Sequence, residues 1–273
     1  MERTGRTNHS VDRSLAAVQL VARAGRSMRF VDLQRRLDVP KGTLHNLLGS
    51  LVAAGFLERD SDGYTIGIGA FEVGAAFHRH RSIHDVAGVV LDRLVETFNE
   101  TVHFGALRDG DVIYVDRRDC THEVRYVAHL GDRKPAYGTG LGKAMLATLS
   151  DEQIVSLYPE ELPTVTSRTI RTRDALLHQL AAARRRGYAI EDEESTPGAR
   201  CIGVAITTDL GLYGISITVP VQRCTLEQLE EHLGDLQEAA REIGSKLSAV
   251  EWLNGPGARE LSPRAAATDP GGA

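Results

Sequence analysis

Leu37-Asp38-Val39-Pro40-Lys41-Gly42-Thr43-Leu44-His45-Asn46-Leu47-Leu48 joins two apolar helical patterns through a break too short to be anything but a tight turn. Before the break, Phe30, Leu33 and Leu37 recur on one helical face. After it, Leu44, Leu47, Leu48 and Leu51 do the same, ending near Gly55. Pro40 suits the first turn of the second helix, where a missing N–H costs nothing. Upstream, Val11, Leu15, Val18 and Val21 predict another helix, with Gly25 as its stop. Downstream, Asp60-Ser61-Asp62-Gly63 separates Phe56–Arg59 from Tyr64–Ile66, and Asp-Gly between two short apolar runs is a hairpin signal. Three helices and a hairpin over residues 10–67 predict a winged helix-turn-helix.

The third helix commits its leucines to a core. Its other side carries Lys41, Gly42, Thr43, His45, Asn46 and Ser50, small or hydrogen-bonding residues able to reach base edges in a major groove. Asn46 can pair with adenine through two hydrogen bonds. Thr43 can meet a thymine methyl or a phosphate, and Arg59 beside the wing is a phosphate contact. The expected partner is therefore a double-stranded DNA operator.

Composition is that of a soluble globular chain: 273 residues, 42% hydrophobic and 25% charged. No apolar run approaches the roughly 20 residues of a membrane span. The polar first ten residues lack a signal-peptide core, so a cytoplasmic protein with no membrane partner is expected. Three cysteines, Cys120, Cys201 and Cys224, are too few and too scattered for a disulfide framework or a CxxC zinc site. The net charge of −5 hides an asymmetry: residues 1–81 carry 12 Lys and Arg against 8 Asp and Glu, whereas the remainder carries 20 against 29. A basic front fits phosphates, and an acidic remainder does not fit a non-specific architectural DNA binder.

Residues 68–81 read as a linker helix with Ile68, Phe71, Ala75 and Phe77 partly apolar. His78, His80 and His84 invite a metal reading, but no carboxylate or cysteine completes a ligand set, so no metal and no cofactor is expected. From Ser82 a helix runs through Val86, Val89, Val90, Leu94 and Phe98, with Ser82 and Asp85 as a capping pair. Strands are expected at Val102–Leu107, Val112–Asp116, Glu123–Leu130, Tyr188–Glu191, Ile202–Thr207 and Tyr213–Val219. Helices are expected from Gly140, from Ser150 with Gln153 in a capping box, over Arg173–Arg186, and from Thr225 with Gln228 in a second box. The last shows Leu226, Leu229, Leu233, Leu236, Ala240, Ile243 and Leu247 at 3,4 spacing. Three heptads are short for a coiled coil, and the stripe suits packing on a sheet. Six strands with helices around them predict an α+β domain over residues 82–250. Residues 251–273, rich in Gly, Pro and Ala, read as a disordered tail.

Tyr137-Gly138-Thr139-Gly140-Leu141-Gly142-Lys143-Ala144 tests as neither nucleotide motif. A P-loop needs Gly where Tyr137 stands and Ser or Thr where Ala144 stands, and the dinucleotide fingerprint needs Gly where Lys143 stands. What remains is a Gly-rich turn feeding a helix N-terminus, whose N–H groups near Gly140 and Leu141 suit an anion such as a carboxylate.

The chain resembles the IclR family of bacterial regulators over residues 10–248. The resemblance rests on Asp12-Arg13-Ser14-Leu15-Ala16, the Leu37–Leu48 stretch, Leu57-Glu58-Arg59-Asp60, Thr101-Val102-His103, Thr139–Ala144, Arg185–Glu194, Gly198-Ala199-Arg200-Cys201 and Gly214–Thr218. It implies a GAF-like effector-binding domain with a mostly antiparallel six-stranded sheet, joined by the linker helix to the winged domain. It also implies a small-molecule effector, an organic acid or an aromatic metabolite, lined by Tyr137, Gly140, Leu141, Glu191, Cys201, Ser216 and Thr218. Ser216 and Thr218 alternate along a strand and so share a face. The chain departs from the usual pattern at Gly42 (Ser), Asn46 (Arg), Leu141 (Ala), Glu191 (Asp) and Thr218 (Ser). The implied activity is regulation of a metabolic or catabolic operon by a homodimer or tetramer on a palindromic operator, and no catalysis. The alternative is a hydrolase using Cys201 with His103 or His129. It needs an activated thiol beside a base, which no local motif supplies.

Overall fold

The computed structural model describes residues 8–80, 83–209 and 211–254, with the side chains of 77–84 and 249–254 outside the description. Contacts divide the chain into two units, residues 1–81 and 82–273.

In the first unit α1 (His9–Ala24) is capped by Asn8, whose side chain accepts from the Ser10 N–H, and stops at Gly25 in the left-handed region. Only part of its apolar stripe is buried. Ala17 and Val21 reach the core, while Val11 and Leu15 are more than half exposed. Helix α2 (Phe30–Leu37) ends at Asp38 in the left-handed region, and α3 (Lys41–Ala53) starts three residues later. Pro40 is the residue preceding α3 and not its first turn; its extended backbone redirects the chain. Leu33, Leu44 and Leu48 are fully buried around Ala17 and Val21. At about 25 cal/mol per Å² of apolar surface, each buried leucine stabilises by about 1.5–3 kcal/mol.

Strands β1 (Leu57–Arg59) and β2 (Tyr64–Ile66) pair antiparallel with Leu57 opposite Ile66, forming the wing. The wing has a third strand position unforeseen in the sequence: Met28 exchanges both backbone hydrogen bonds with Tyr64, at 3.0 and 2.9 Å. The turn is organised by Asp60, whose Oδ1 accepts from the N–H groups of Asp62 and Gly63 at 2.8 and 2.7 Å and from the Ser27 hydroxyl at 3.1 Å. Gly63 is obligatory, because a Cβ there would lie 2.2 Å from the Met28 carbonyl oxygen. Helix α4 (Ile68–His80) follows, and the side chains of His78, His80 and His84, like Ser82, lie outside the described residues.

The second unit is a six-stranded antiparallel sheet. Its strands are β3 (Thr101–Arg108), β4 (Asp111–Arg118), β5 (Arg133–Pro135), β6 (Ala189–Asp192), β7 (Ala199–Thr208) and β8 (Gly211–Pro220), in the order β5-β4-β3-β8-β7-β6. One face packs on α5 (Ile83–Phe98), α9 (Leu226–Glu231) and α10 (Leu233–Asn254). Phe104, Ile202, Ile215 and Ile217 from the sheet meet Leu91, Leu236 and Ile243 there. The other face receives α6 (Gly140–Leu146), α7 (Asp151–Leu157) and α8 (Arg173–Arg186) over Val112, Leu141, Met145 and Leu176. Both expected capping boxes, Ser150/Gln153 and Thr225/Gln228, form.

Two expectations need correction. Glu123–Leu130 is not a strand; the sixth strand is Arg133–Pro135. Pairing beside Tyr114 begins only at Gly131 and Asp132. The segment before them passes over the sheet face, held by Tyr126 Oη donating to the Pro197 carbonyl and by the Ala128 N–H donating to His103. The final helix is not continuous from Thr225 either. It breaks at His232, whose N–H turns back to the Leu229 carbonyl and whose ring packs on Phe98 at 4.3 Å. Helix α10 then runs to Asn254, so residues 251–254 are helical and not tail.

Candidate functional site

Each unit carries a concave polar site that gathers predicted functional residues. In the first, α3 and the wing enclose an open groove of about 640 Å³. Lys41, Gly42, His45, Asn46 and Arg59 line it together. The leucines of α3 point into the core, which forces the remaining positions outward. Asn46 is exposed and its side-chain amide has no partner among the described residues, leaving both donor and acceptor free. No side-chain atom comes within 4 Å of a Cβ built at Gly42, so glycine there answers to the surface and not to packing. Arg59 sits over the Tyr64 ring at 5.8 Å. Thr43 and Ser50 lie on α3 outside this groove; Thr43 is half-buried, and the Ser50 hydroxyl donates to the Asn46 carbonyl at 3.0 Å.

The second site is a cavity of about 80 Å³ on the sheet face that carries α6. Register explains its composition. Glu191, Cys201 and Thr218 stand opposite one another across β6, β7 and β8, and Ser216 pairs with His103 of β3 one step along. Period-two alternation sends all five to the same face, while Ile202, Ile215 and Ile217 go to the core opposite. Gly203, Gly105 and Gly214 let α6 press onto the sheet: Cβ atoms there would lie 2.6 Å from the Gly140 carbonyl carbon, 3.0 Å from one Leu141 methyl and 2.7 Å from the other. Leu141 therefore fills the glycine floor, and the polar row beside it stays open.

The polar groups are held tightly. His103 is buried, and burial, with Lys134 and Arg117 adding repulsion, lowers its pKa to about 3. The imidazole is neutral, and because Nε2 accepts from the Ala128 N–H at 3.4 Å, Nδ1 carries the proton. Nδ1 then donates to Thr218 Oγ1 at 3.3 Å. Ser216, Thr218 and the Leu141 N–H lie beside the Cys201 sulfur and favour its thiolate, yet burial, with Glu191 adding repulsion, outweighs them and raises the thiol to about 11. Glu191 Oε1 accepts from the N–H groups of Glu194 and Ser195 at 2.6 and 3.0 Å. Burial still raises its pKa to about 7, against those two bonds and the Lys143 charge. Behind it, the buried Lys143 Nζ lies 2.6 Å from Glu194 Oε1 and 2.9 Å from Gln179 Oε1. At the rim, Lys134 Nζ donates to Thr196 Oγ1 at 3.2 Å.

Of the seven expected lining residues, Leu141, Glu191, Cys201, Ser216 and Thr218 line this cavity. Tyr137 does not. Its hydroxyl donates to the Pro163 carbonyl at 2.6 Å and its ring meets Tyr158 edge-on at 5.4 Å, inside the second core. Gly140 supports the cavity from behind, because a Cβ there would sit 2.9 Å from the Cys201 sulfur. His103, Tyr114, Lys134 and Tyr126 line it unforeseen as ligand contacts. Alternation along β3 and β4 puts His103 and Tyr114 on the Ser216 face, but Lys134 and Tyr126 come from a segment whose path no periodicity reveals. Nor is this a cysteine-protease-like centre. The thiol is protonated and the only adjacent imidazole among the described residues accepts a backbone hydrogen bond, so neither nucleophile nor base is free. No group of three His, Cys, Asp or Glu among the described residues could hold a metal, and no described helix is long and apolar enough to cross a membrane.

Comparison with known proteins finds relatives of both units. The model of the IclR helix-turn-helix domain matches residues 10–61, and that of the bacterial transcriptional regulator IclR C-terminal domain matches residues 75–245. The HTH-type transcriptional repressor AllR of Escherichia coli UTI89 is 33% identical over 249 residues, covering 89% of this chain and 92% of that protein. A transcriptional regulator from Rhodococcus sp. RHA1 superposes with TM-score 0.73 at 26% identity, covering 89% of this chain and all of that one. An IclR homologue from Microbacterium hydrocarbonoxydans, crystallised with 4-hydroxybenzoate, shares the fold with TM-score 0.72 at 24% identity over 88% of this chain and 99% of its own. With both of its domains matched along nearly their whole length, the chain belongs to the IclR family of bacterial transcriptional regulators, and it is a DNA-binding regulator and not an enzyme.

Proposed function

We propose that this protein represses a metabolic or catabolic operon, binding a palindromic operator as a dimer or tetramer, with occupancy set by a small aliphatic acid in the Glu191–Cys201–Thr218 cavity. The observation that carries the effector half is the size and chemistry of that cavity. At about 80 Å³ it is roughly half the ~150 Å³ that accommodates a benzene ring. A short carboxylic acid fits and an aromatic one requires the segment through Tyr126 to move. Lys134 and the Ser216 and Thr218 hydroxyls supply donors for a carboxylate, and Glu191 faces a second polar group of the ligand. The repressor reading is supported by the name of the Escherichia coli relative. The DNA half is supported by Lys41, His45, Asn46 and Arg59 sharing one groove, with α3 entering a major groove of each half-site.

A thermal-shift screen of short aliphatic and aromatic acids tests the effector. The expected result is stabilisation by an aliphatic acid, abolished by Ser216→Ala with Thr218→Ala. Unchanged affinity in that double variant means the ligand sits elsewhere. A gel-shift titration against the region upstream of the chain's own gene tests the operator, and equal affinity for that region and for mixed-sequence DNA refutes specific regulation.

A further inference from the structure

Next to the groove between α3 and the wing lies a second, larger one of about 950 Å³. The two share Arg29 and the wing-tip residues Ser61 and Asp62, so the tip stands between them. The larger groove is lined by five arginines: Arg23 from the last turn of α1, Arg26 and Arg29 from the following segment, and Arg35 and Arg36 from the last turn of α2. Among the described residues two carboxylates face it, Asp32 and Asp62. Asp32 is spent on Arg29 at 3.1 Å. Arg23, Arg26, Arg35 and Arg36 form no ion pair among the described residues, and all four are exposed. Four free guanidinium groups within one concave surface repel each other unless an anion joins them. Helix ends favour basic residues by a few tenths of a kcal/mol each, but that preference does not gather charges from two helices and a loop into one groove.

We infer that this arginine groove holds the phosphate backbone of the operator duplex beyond the segment that α3 reads, so that the wing tip rests on DNA with base-reading side chains on one flank and phosphate contacts on the other. The inference rests on the DNA-binding reading and extends it. Guanidinium groups grip phosphate oxygens in a fork and carry no base information there. The groove therefore contributes affinity without specificity. Its signature is counterion release: each neutralised phosphate adds about 0.9 to the slope of log affinity against log salt.

The test is fluorescence anisotropy of the full chain on a mixed-sequence duplex across a salt series, repeated on the upstream region of its own gene. Arg35→Gln with Arg36→Gln, and separately Arg23→Gln with Arg26→Gln, should each lower the salt slope by about 2 per DNA-bound subunit. Affinity should drop by the same factor on both duplexes, leaving their ratio unchanged. Arg35→Lys with Arg36→Lys should restore most of the slope, which a purely structural role of these side chains would not predict. All are surface substitutions, and an unchanged unfolding midpoint confirms an intact domain. An unchanged slope in both glutamine pairs, with wild type still binding DNA, overturns the inference alone. A wild type with no salt-dependent DNA binding overturns it together with the reading beneath it. A drop confined to the upstream region assigns these arginines to base reading and also refutes it.

Discussion

Glu191→Gln isolates the one carboxylate that the cavity buries beside its prospective ligand. Its ordinary pKa of 4.5 rises to about 7 in the fold, chiefly through burial. Between those values the folded protein holds a proton that the unfolded chain has released, so stability must fall as pH rises through that window. At about 1.4 kcal/mol per pH unit the gap amounts to about 3 kcal/mol. Glutamine keeps the shape and an oxygen able to accept from the Glu194 and Ser195 N–H groups, but it cannot ionise. Urea unfolding of the effector domain in the full chain, followed by near-ultraviolet circular dichroism at pH 5 and pH 8, reads the difference. Wild type should lose roughly 2–3 kcal/mol more than Glu191→Gln across that interval. The same proton governs binding. A carboxylate effector meets an added negative charge once Glu191 ionises, so its affinity for wild type should weaken above neutral pH, while its affinity for the glutamine variant stays level. Parallel pH profiles of the two proteins, in stability and in effector affinity, would refute the reasoning.

Three further outcomes follow from single contacts. Lys143→Met removes the cation 2.6 Å from Glu194 in a fully buried site, and should cost about 3–5 kcal/mol by equilibrium unfolding, with much of the loss recovered by adding Glu194→Gln. Gly63→Ala places a methyl 2.2 Å from the Met28 carbonyl oxygen; it should destabilise the winged domain by more than 1 kcal/mol, and lost protection of the Met28 and Tyr64 amides in hydrogen exchange would report it. Gly42→Ser meets no neighbouring atom and should leave the unfolding free energy within about 1 kcal/mol of wild type, while a binding-site selection shows altered base preference, more so when combined with Asn46→Arg.

The two halves of the molecule were unequally legible. In the winged domain, the apolar spacing and the Asp62-Gly63 turn are local signals, and each element lies within a few residues of the signal that specifies it. Met28 escaped because a lone bridge residue has no periodicity. The arginine groove escaped because Arg23 and Arg36 are brought together by the path of three elements, not by spacing. In the effector domain, alternation marked Ser216 and Thr218, yet the same alternation in Glu123–Leu130 misled. A strand pattern states that alternate residues face two environments; it does not state that the second environment is another strand. Here the alternating apolar positions do not even share one face: Tyr126 and Ala128 line the cavity together with Val127, while Val124 and Leu130 are exposed.

Tyr137 makes the complementary point: the resemblance implies it for the cavity, yet its ring packs in the core on the same sheet face. The turn Ala136–Gly138 precedes α6, and Tyr137 leaves it toward Tyr158. The backbone donor that faces the cavity is the Leu141 N–H, and the Cys201 sulfur lies beside it and beside the Ser216 and Thr218 hydroxyls. An anion seeking those three donors must compete with the sulfur for them, whereas Lys134 stands at the rim with Thr196 as its partner among the described residues. Cys201→Ala should therefore separate the two modes of binding. It frees three donors at the cost of a small buried apolar group, so tighter effector binding places the carboxylate at the α6 N-terminus. Unchanged binding, with affinity lost instead in Lys134→Met, places it at the rim. Isothermal titration of both variants with the best acid from the screen decides between them, and a ligand insensitive to either substitution removes the cavity from consideration.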